Sequence, residues 1–359
     1  MSRVMKYLMS AALVCAAAGI LLDPAALAGA VRSSVTGCLE VVIPSLFAFT
    51  VLAVYMQQSG LYRVALKPLT FPLSKLLGIP EELCAVFVLS NIGGYPVGAK
   101  LLSGLVKSGR LSRRDAGRML CCCYGSGPSF VIGTAGMEVF GSATAGGILF
   151  GACFLSSLII AVIVCRTGEK ITLQSAGEGG GLELSAECFV RSADSGARVM
   201  YTVCVMAALF AAITALLDMS GLTGLISRLL ELAGAGENSS CIVPALLEVT
   251  RVRDMLPSGA AVPVCAGVLS FGGVCVLMQV TAISGGAVPV KPLVISRIPA
   301  AALSAGLAAP AMLFPAAVEV SSTNSAQTAA FSVNSGMSVC VLIMAGILIY
   351  SVEREKTRA

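Results

Sequence analysis

The stretch Ser-Asn-Ile-Gly-Gly-Tyr-Pro-Val-Gly-Ala-Lys-Leu-Leu-Ser-Gly-Leu, residues 90–105, lies inside an otherwise apolar run. A plain membrane-spanning helix needs neither the adjacent Gly93 and Gly94 nor Asn91, Tyr95-Pro96 and Lys100. Glycine is entropically costly in a helix, and proline lacks an amide donor and clashes with the preceding turn. Backbone groups freed from a helix are not tolerated against lipid, so residues 91–98 are expected to line protein or a water-filled cavity. Taken alone, Gly93-Gly94 fits close helix packing equally well.

The residues around this stretch set the class. The 359-residue chain is 57% hydrophobic and 12% charged, with a mean hydropathy of +0.91. A soluble domain carries about 25% charged residues. The expected fold class is therefore all-α, a polytopic membrane protein of about 8–10 spanning or re-entrant helices. Continuous spans are expected over residues 5–22, 35–56, 143–165, 199–217, 261–283, 293–314 and 336–350. Interrupted ones are expected over 82–106, 118–136 and 240–256, and shorter amphipathic pieces over 62–77 and 222–232. Arg3 and Lys6 before the first apolar run, with Ala26-Leu27-Ala28 after it, also resemble a cleavable signal; a retained first helix is the preferred reading.

The net charge of +5 sits in short loops and at the termini, with no basic stripe among aromatics, so no nucleic-acid partner is expected. The basic loop from Lys107 to Arg118 holds five positive charges and one negative and should face the cytoplasm. Within it, Ser112 and Asp115 form a capping-box-like helix start. The polar stretch 166–198 reads as a linker between two membrane halves, and 321–335 as a second polar loop.

The absence of His excludes a His triad, a His metal site and a His proton relay. The 14 Cys lie mostly in apolar runs, and the successive Cys121, Cys122 and Cys123 point to different sides of a helix, so they read as packing residues. No metal site and no cofactor is expected. Ser126 has no base near it in sequence, and the chain is not read as an enzyme.

Three further interruptions accompany the first. Tyr124-Gly125-Ser126-Gly127-Pro128-Ser129, followed by Phe130 to Gly136 with Thr134, breaks a second segment. Pro244 to Thr250 places Glu248 and Thr250 in an apolar stretch, where Glu248 can line a site or mark a boundary beside Arg251 and Arg253. Ser270-Phe271-Gly272-Gly273, with Gln279 beyond it, breaks the fourth. Two broken segments per half is the pattern of discontinuous helices in transporters, whose half-helix ends bind polar solutes near the midplane. Glu40 and Glu138 read as interfacial, and Asp218 as a cap before Gly221.

At these residues the sequence resembles the YlbJ-type sporulation integral membrane proteins. Those are similar to the nucleoside-recognition or Gate family, shared with concentrative nucleoside transporters, the gate of ferrous-iron transport protein B and the spore maturation proteins. The family's G-Y-P-S-G-A-K-L stands as Gly94-Tyr-Pro-Val-Gly-Ala-Lys100-Leu101, and S-G-P-x-F-I-I-G-T-x-G as Ser126 to Gly136. L-E-V-T is intact from Leu247 to Thr250, and S-F-G-G from Ser270 to Gly273. The family's Asn pair before S-G-P is Tyr124-Gly125 here, and the N-G after L-E-V-T is Arg251-Val252. Cys275, Leu277 and Met278 replace polar residues after S-F-G-G, which marks a divergent member.

The resemblance implies two inverted gate-like repeats, at 35–165 and 199–315. An N-terminal helix and loop would occupy 1–34, the linker 166–198, and a loop, last helix and charged tail 316–359. It also implies a role in endospore formation, in the bacterial cytoplasmic membrane of the forespore or mother cell. The expected function is transporter-like movement of a small polar solute, nucleoside-like by analogy only. Asn91, Gly93, Gly94, Tyr95, Lys100, Ser126, Thr134, Glu248, Thr250 and Gln279 would face its path. Lys100 and Glu248 would either pair with each other or hold opposite ends of the solute. The alternative is a non-transporting assembly factor that recruits sporulation membrane proteins through its basic and mid-chain loops. The expected partners are the lipid bilayer, the solute, such membrane proteins, and a second copy of the chain.

Overall fold

The structure, a computed structural model, describes residues 19–174, 184–232, 238–255 and 261–313, with residue 182 and isolated positions before residue 19. Most of the helix expected over 5–22, the glycine run 177–181, the loop 321–335 and the helix expected over 336–350 lie outside the described residues. Every regular element among the described residues is helical.

Helix α1 (Pro24–Gly37) starts at Asp23, whose carboxylate accepts from the Ala26 amide at 2.9 Å. A π-helical turn, Cys38–Val42, carries it into α2 (Ile43–Ser59). The span expected over 35–56 is thus the later part of one long helical run with a wide turn inside it. Helix α3 (Lys67–Leu77) meets α4 (Glu81–Gly93) at a bend of 110°. Helix α5 (Tyr95–Lys107) follows α4 directly, and α6 (Arg113–Leu120) closes the basic loop. Ser112 caps α6, accepting from the Asp115 amide at 3.0 Å. One turn, Pro128–Phe130, opens a π-helical segment, Val131–Val139. Helix α7 (Ala143–Arg166) is capped by Ser142.

Helix α8 (Ala186–Met219) is 34 residues long. At 1.5 Å per residue it measures about 50 Å, well over the ~30 Å hydrocarbon thickness. Its first turns carry exposed i,i+4 pairs, Glu187 with Arg191 and Asp194 with Arg198. The stretch expected to be linker is therefore helical from Ala186 onward, a charged extension of a spanning helix. Then come α9 (Leu222–Leu232), the stub α10 (Ser239–Leu247), a 3-10 segment (Val249–Asp254), α11 (Ala261–Phe271), α12 (Gly273–Ser284) and α13 (Lys291–Ala308).

Among the described residues, four helical stretches are long and apolar enough to cross a membrane: Ala143–Arg166, Ala186–Met219, Ala261–Ser284 and Lys291–Ala311. The bent pair α3–α4 makes a fifth if it counts as one crossing. Helix α13 shows what solvent these helices face: Val294, Ile295 and Ile298 point outward, while Arg297 is buried. Apolar outside and charged inside is the order lipid requires. With no hydrophobic driving force between helices in lipid, α7, α11 and α13 are joined by small polar side chains. Ser156 Oγ donates to Ala300 O at 3.0 Å, and Ser304 Oγ to Ala266 O at 3.1 Å.

Candidate functional site

The four interruptions meet. Gly94 ends α4 and Pro96 lies in the first turn of α5, where a missing amide costs nothing, so the proline starts a helix and does not kink one. Gly94 adopts φ +92°, a conformation that side-chain-bearing residues rarely take. A Cβ on Gly98 of α5 would lie 1.9 Å from Cys123 O, so the helix rests directly on the non-helical stretch 121–127.

Several of the carbonyls at these breaks have identifiable donors. Asn91 Nδ2 donates to Phe87 O at 2.8 Å and to Cys122 O at 3.3 Å. At the end of α11, Val268 O accepts from the Gly272 amide at 2.9 Å, and Leu269 O from Tyr95 OH at 2.6 Å. Ser270 O accepts from Arg297 Nη1 at 3.2 Å. The same guanidinium donates to Tyr124 O at 3.4 Å and to Cys121 O, and it stacks 4.7 Å from the centroid of the Tyr124 ring. Arg297 is 1% exposed and has no carboxylate partner among the described residues. Its counter-charge is the negative end of two helices, α6 and α11.

The same contact occurs in both halves. A Cβ on Gly127 would lie 2.8 Å from Ile92 O and 3.4 Å from Gly94 N; one on Gly273 would lie 3.3 Å from Leu247 O and 3.1 Å from Val249 N. In each half, the glycine of the second break sits against a carbonyl and the amide two residues on at the first break. Tyr95 and Tyr124, with rings 4.9 Å apart, join the halves through Leu269 O and the close approach of Tyr124 to Gly272.

Beside this knot lies a cavity of about 190 Å³. Both π-helical segments wall it, through Cys38 and Val42 in one and Thr134 and Glu138 in the other; α1, α8, α12, the break between α4 and α5 and the 3-10 segment after Glu248 supply most of the rest. Such segments widen a helix and recur at functional sites. Three polar side chains face it from depth: Thr134 is 6% exposed, Glu248 8% and Gln279 6%. Helix α10 ends at Glu248 in extended backbone (φ −136°, ψ 113°), which turns the carboxylate toward the cavity. Thr250 Oγ1 donates to Glu248 Oε1 at 2.5 Å. Arg251 pairs with Asp254 at 2.8 Å and not with Glu248.

Of the residues expected on the path, Gly94, Tyr95, Thr134, Glu248, Thr250 and Gln279 line this cavity. Asn91, Gly93 and Ser126 are buried in the knot beside it. Lys100 does not line the cavity; the charges acting on it are Lys107, Arg198 and Asp194. Of the two arrangements open to Lys100 and Glu248, the direct pair does not form: Glu248 lines the cavity and Lys100 does not. Arg297 escaped the sequence reading. Its only signal was a lone cation within an apolar run.

The fold and the cavity define a polytopic, all-helical membrane protein with discontinuous helices around a small polar-floored site. Over 134 residues, 36% of this chain, it is 31% identical to the sporulation integral membrane protein YlbJ of Bacillus subtilis (strain 168). The matched part spans about a third of that protein's length, 32%. The relation is distant and partial. No family profile and no solved structure matches the chain.

Proposed function

We infer that the protein binds and passes a small polar solute across the membrane of a spore-forming cell. One observation carries the reading: the broken segments of both halves converge on a cavity floored by Glu248, which holds a single hydroxyl and no cation among the described residues. A carboxylate in such a place is expensive to bury and is kept for function by default. The name of the relative, a sporulation integral membrane protein, supports the setting. Size narrows the solute. A cavity of about 150 Å³ holds a benzene, so about 190 Å³ suits a single-ring or amino-acid-sized solute better than a whole nucleoside.

The assembly reading draws less support, because the basic loop is engaged within the chain. Arg110 makes a bidentate pair with Glu82 at 2.7 and 2.6 Å, Arg113 donates to Gly286 O, and Arg114 pairs with Glu169. Arg118 donates to Val164 O, Thr167 O and Glu169 O.

The test is thermal stability of the purified protein in detergent against nucleobases, nucleosides, amino acids, dipicolinate, sugar nucleotides and divalent cations, for wild type and Glu248→Gln. A binder at 100 times its Kd adds about 2.7 kcal/mol. A shift present in wild type and lost in the variant supports the solute site. No shift with any compound turns the weight to a non-transporting role.

A further inference from the structure

The charge and hydrogen-bond inventory of the cavity wall selects among solutes. Three carboxylates line it, Glu138, Asp218 and Glu248, against two guanidiniums, Arg251 and Arg253. Both guanidiniums pair with Asp254, at 2.8 and 4.0 Å; both act on Glu248, and Arg253 on Glu138, only from beyond ion-pair distance. Asp218 accepts from Thr223 Oγ1 at 2.6 Å and has no cation partner among the described residues.

At the floor, acceptors are left over. Glu248 Oε2 receives no hydrogen bond among the described residues, and Gln279 donates one of its two amide N–H groups to Cys275 Sγ at 3.3 Å, with its carbonyl left as an acceptor. Both side chains are more than nine-tenths buried and line the cavity. An anionic solute would meet a desolvated carboxylate, and a neutral one would leave that charge uncompensated; both are costly at low dielectric. A cation bearing N–H donors satisfies the charge and both acceptors at once.

We propose that the cavity selects a small organic cation with N–H donors, an ammonium or amidinium on a body no larger than one ring, held by Glu248 and Gln279. This rests on the reading that the cavity is a solute site, and goes beyond it by fixing the sign of the charge.

Three isosteres of one size separate the two claims: benzamidine, benzamide and benzoate, each added to the purified full-length protein in detergent. Benzamidine should raise the melting temperature by about 3 °C or more near saturation, and benzoate should not. Glu248→Gln should weaken benzamidine at least about tenfold, the loss expected for one hydrogen bond to a charged group. The comparison within wild type stands even if that variant fails to fold. Equal or stronger stabilisation by benzamide or benzoate would overturn the charge selection and leave the solute site standing. No response to any of the three would overturn the proposal, while the wider panel and water access to the cavity decide the solute site separately.

Discussion

Arg297 holds a place normally filled by several groups. Its guanidinium satisfies carbonyls at Cys121, Tyr124 and Ser270, which belong to two broken segments on opposite halves of the chain. Lys offers a compact ammonium and cannot fork to carbonyls in different directions. Each buried carbonyl left without a donor costs about 1–3 kcal/mol. Arg297→Met should therefore destabilise the protein by roughly 3 kcal/mol or more, and Arg297→Lys should recover only part of the loss. The chain has no Trp, so the check is the fraction surviving size exclusion after a temperature ramp in detergent. Wild-type survival of Arg297→Met would show that the carbonyls find other donors. A single arginine in an apolar run carries no local sign of this role. The carbonyls it serves lie 27 to 176 residues away and become neighbours only through the fold.

At the scale of the element, helix α5 shows what a sequence reveals and what it conceals. That something breaks between Asn91 and Gly98 was legible, because two glycines and a proline cannot sit idly in an apolar helix. What the break touches was not, since glycine looks the same whether it frees the backbone or admits a neighbour. Gly98 and Gly104 lie on the same helix and differ in this respect. A methyl on Gly98 meets Cys123 O at 1.9 Å, whereas one on Gly104 meets Gln57 Oε1 at 3.7 Å, an ordinary contact. Gly104→Ala should be neutral or stabilising by up to about 1 kcal/mol from helix propensity alone. Gly98→Ala must push α5 off the stretch that Asn91 and Arg297 hold, and should cost several kilocalories or abolish accumulation in the membrane. Expression and melting temperature of the two variants check this; matching outcomes would mean that the contact between α5 and residues 121–124 is dispensable. The same reasoning explains Lys100. It lies one turn past the break, yet it is outside the cavity and the charges that act on it are Lys107 on its own helix and Arg198 and Asp194 near the start of α8, a neighbourhood no spacing rule specifies.

For the molecule as a whole, the question is whether water and solute reach the cavity. The knot of Arg297 and of Gly98 against Cys123 O lies beside the cavity, and access is expected along the part of its wall formed by α1, α8 and the π-helical segments. Two native thiols report on that route. Cys38 and Cys275 line the cavity, whereas Cys84, Cys122 and Cys265 are buried in the core away from it. A methanethiosulfonate bearing a fixed trimethylammonium cannot enter through lipid and must arrive through water. In membrane vesicles, peptide-level mass spectrometry should find Cys38 and Cys275 modified well before the three core thiols. A bound solute should slow both. An anionic sulfonate analogue should react more slowly at the same two positions, because Glu138 and Asp218 stand at the rim. Equal, negligible modification of all five thiols would mean that the cavity is closed to water, and the solute path would fall however well any compound stabilised the protein. Fast reaction with both reagents alike would keep the path and remove the charge selection, so one labelling series decides the two claims independently.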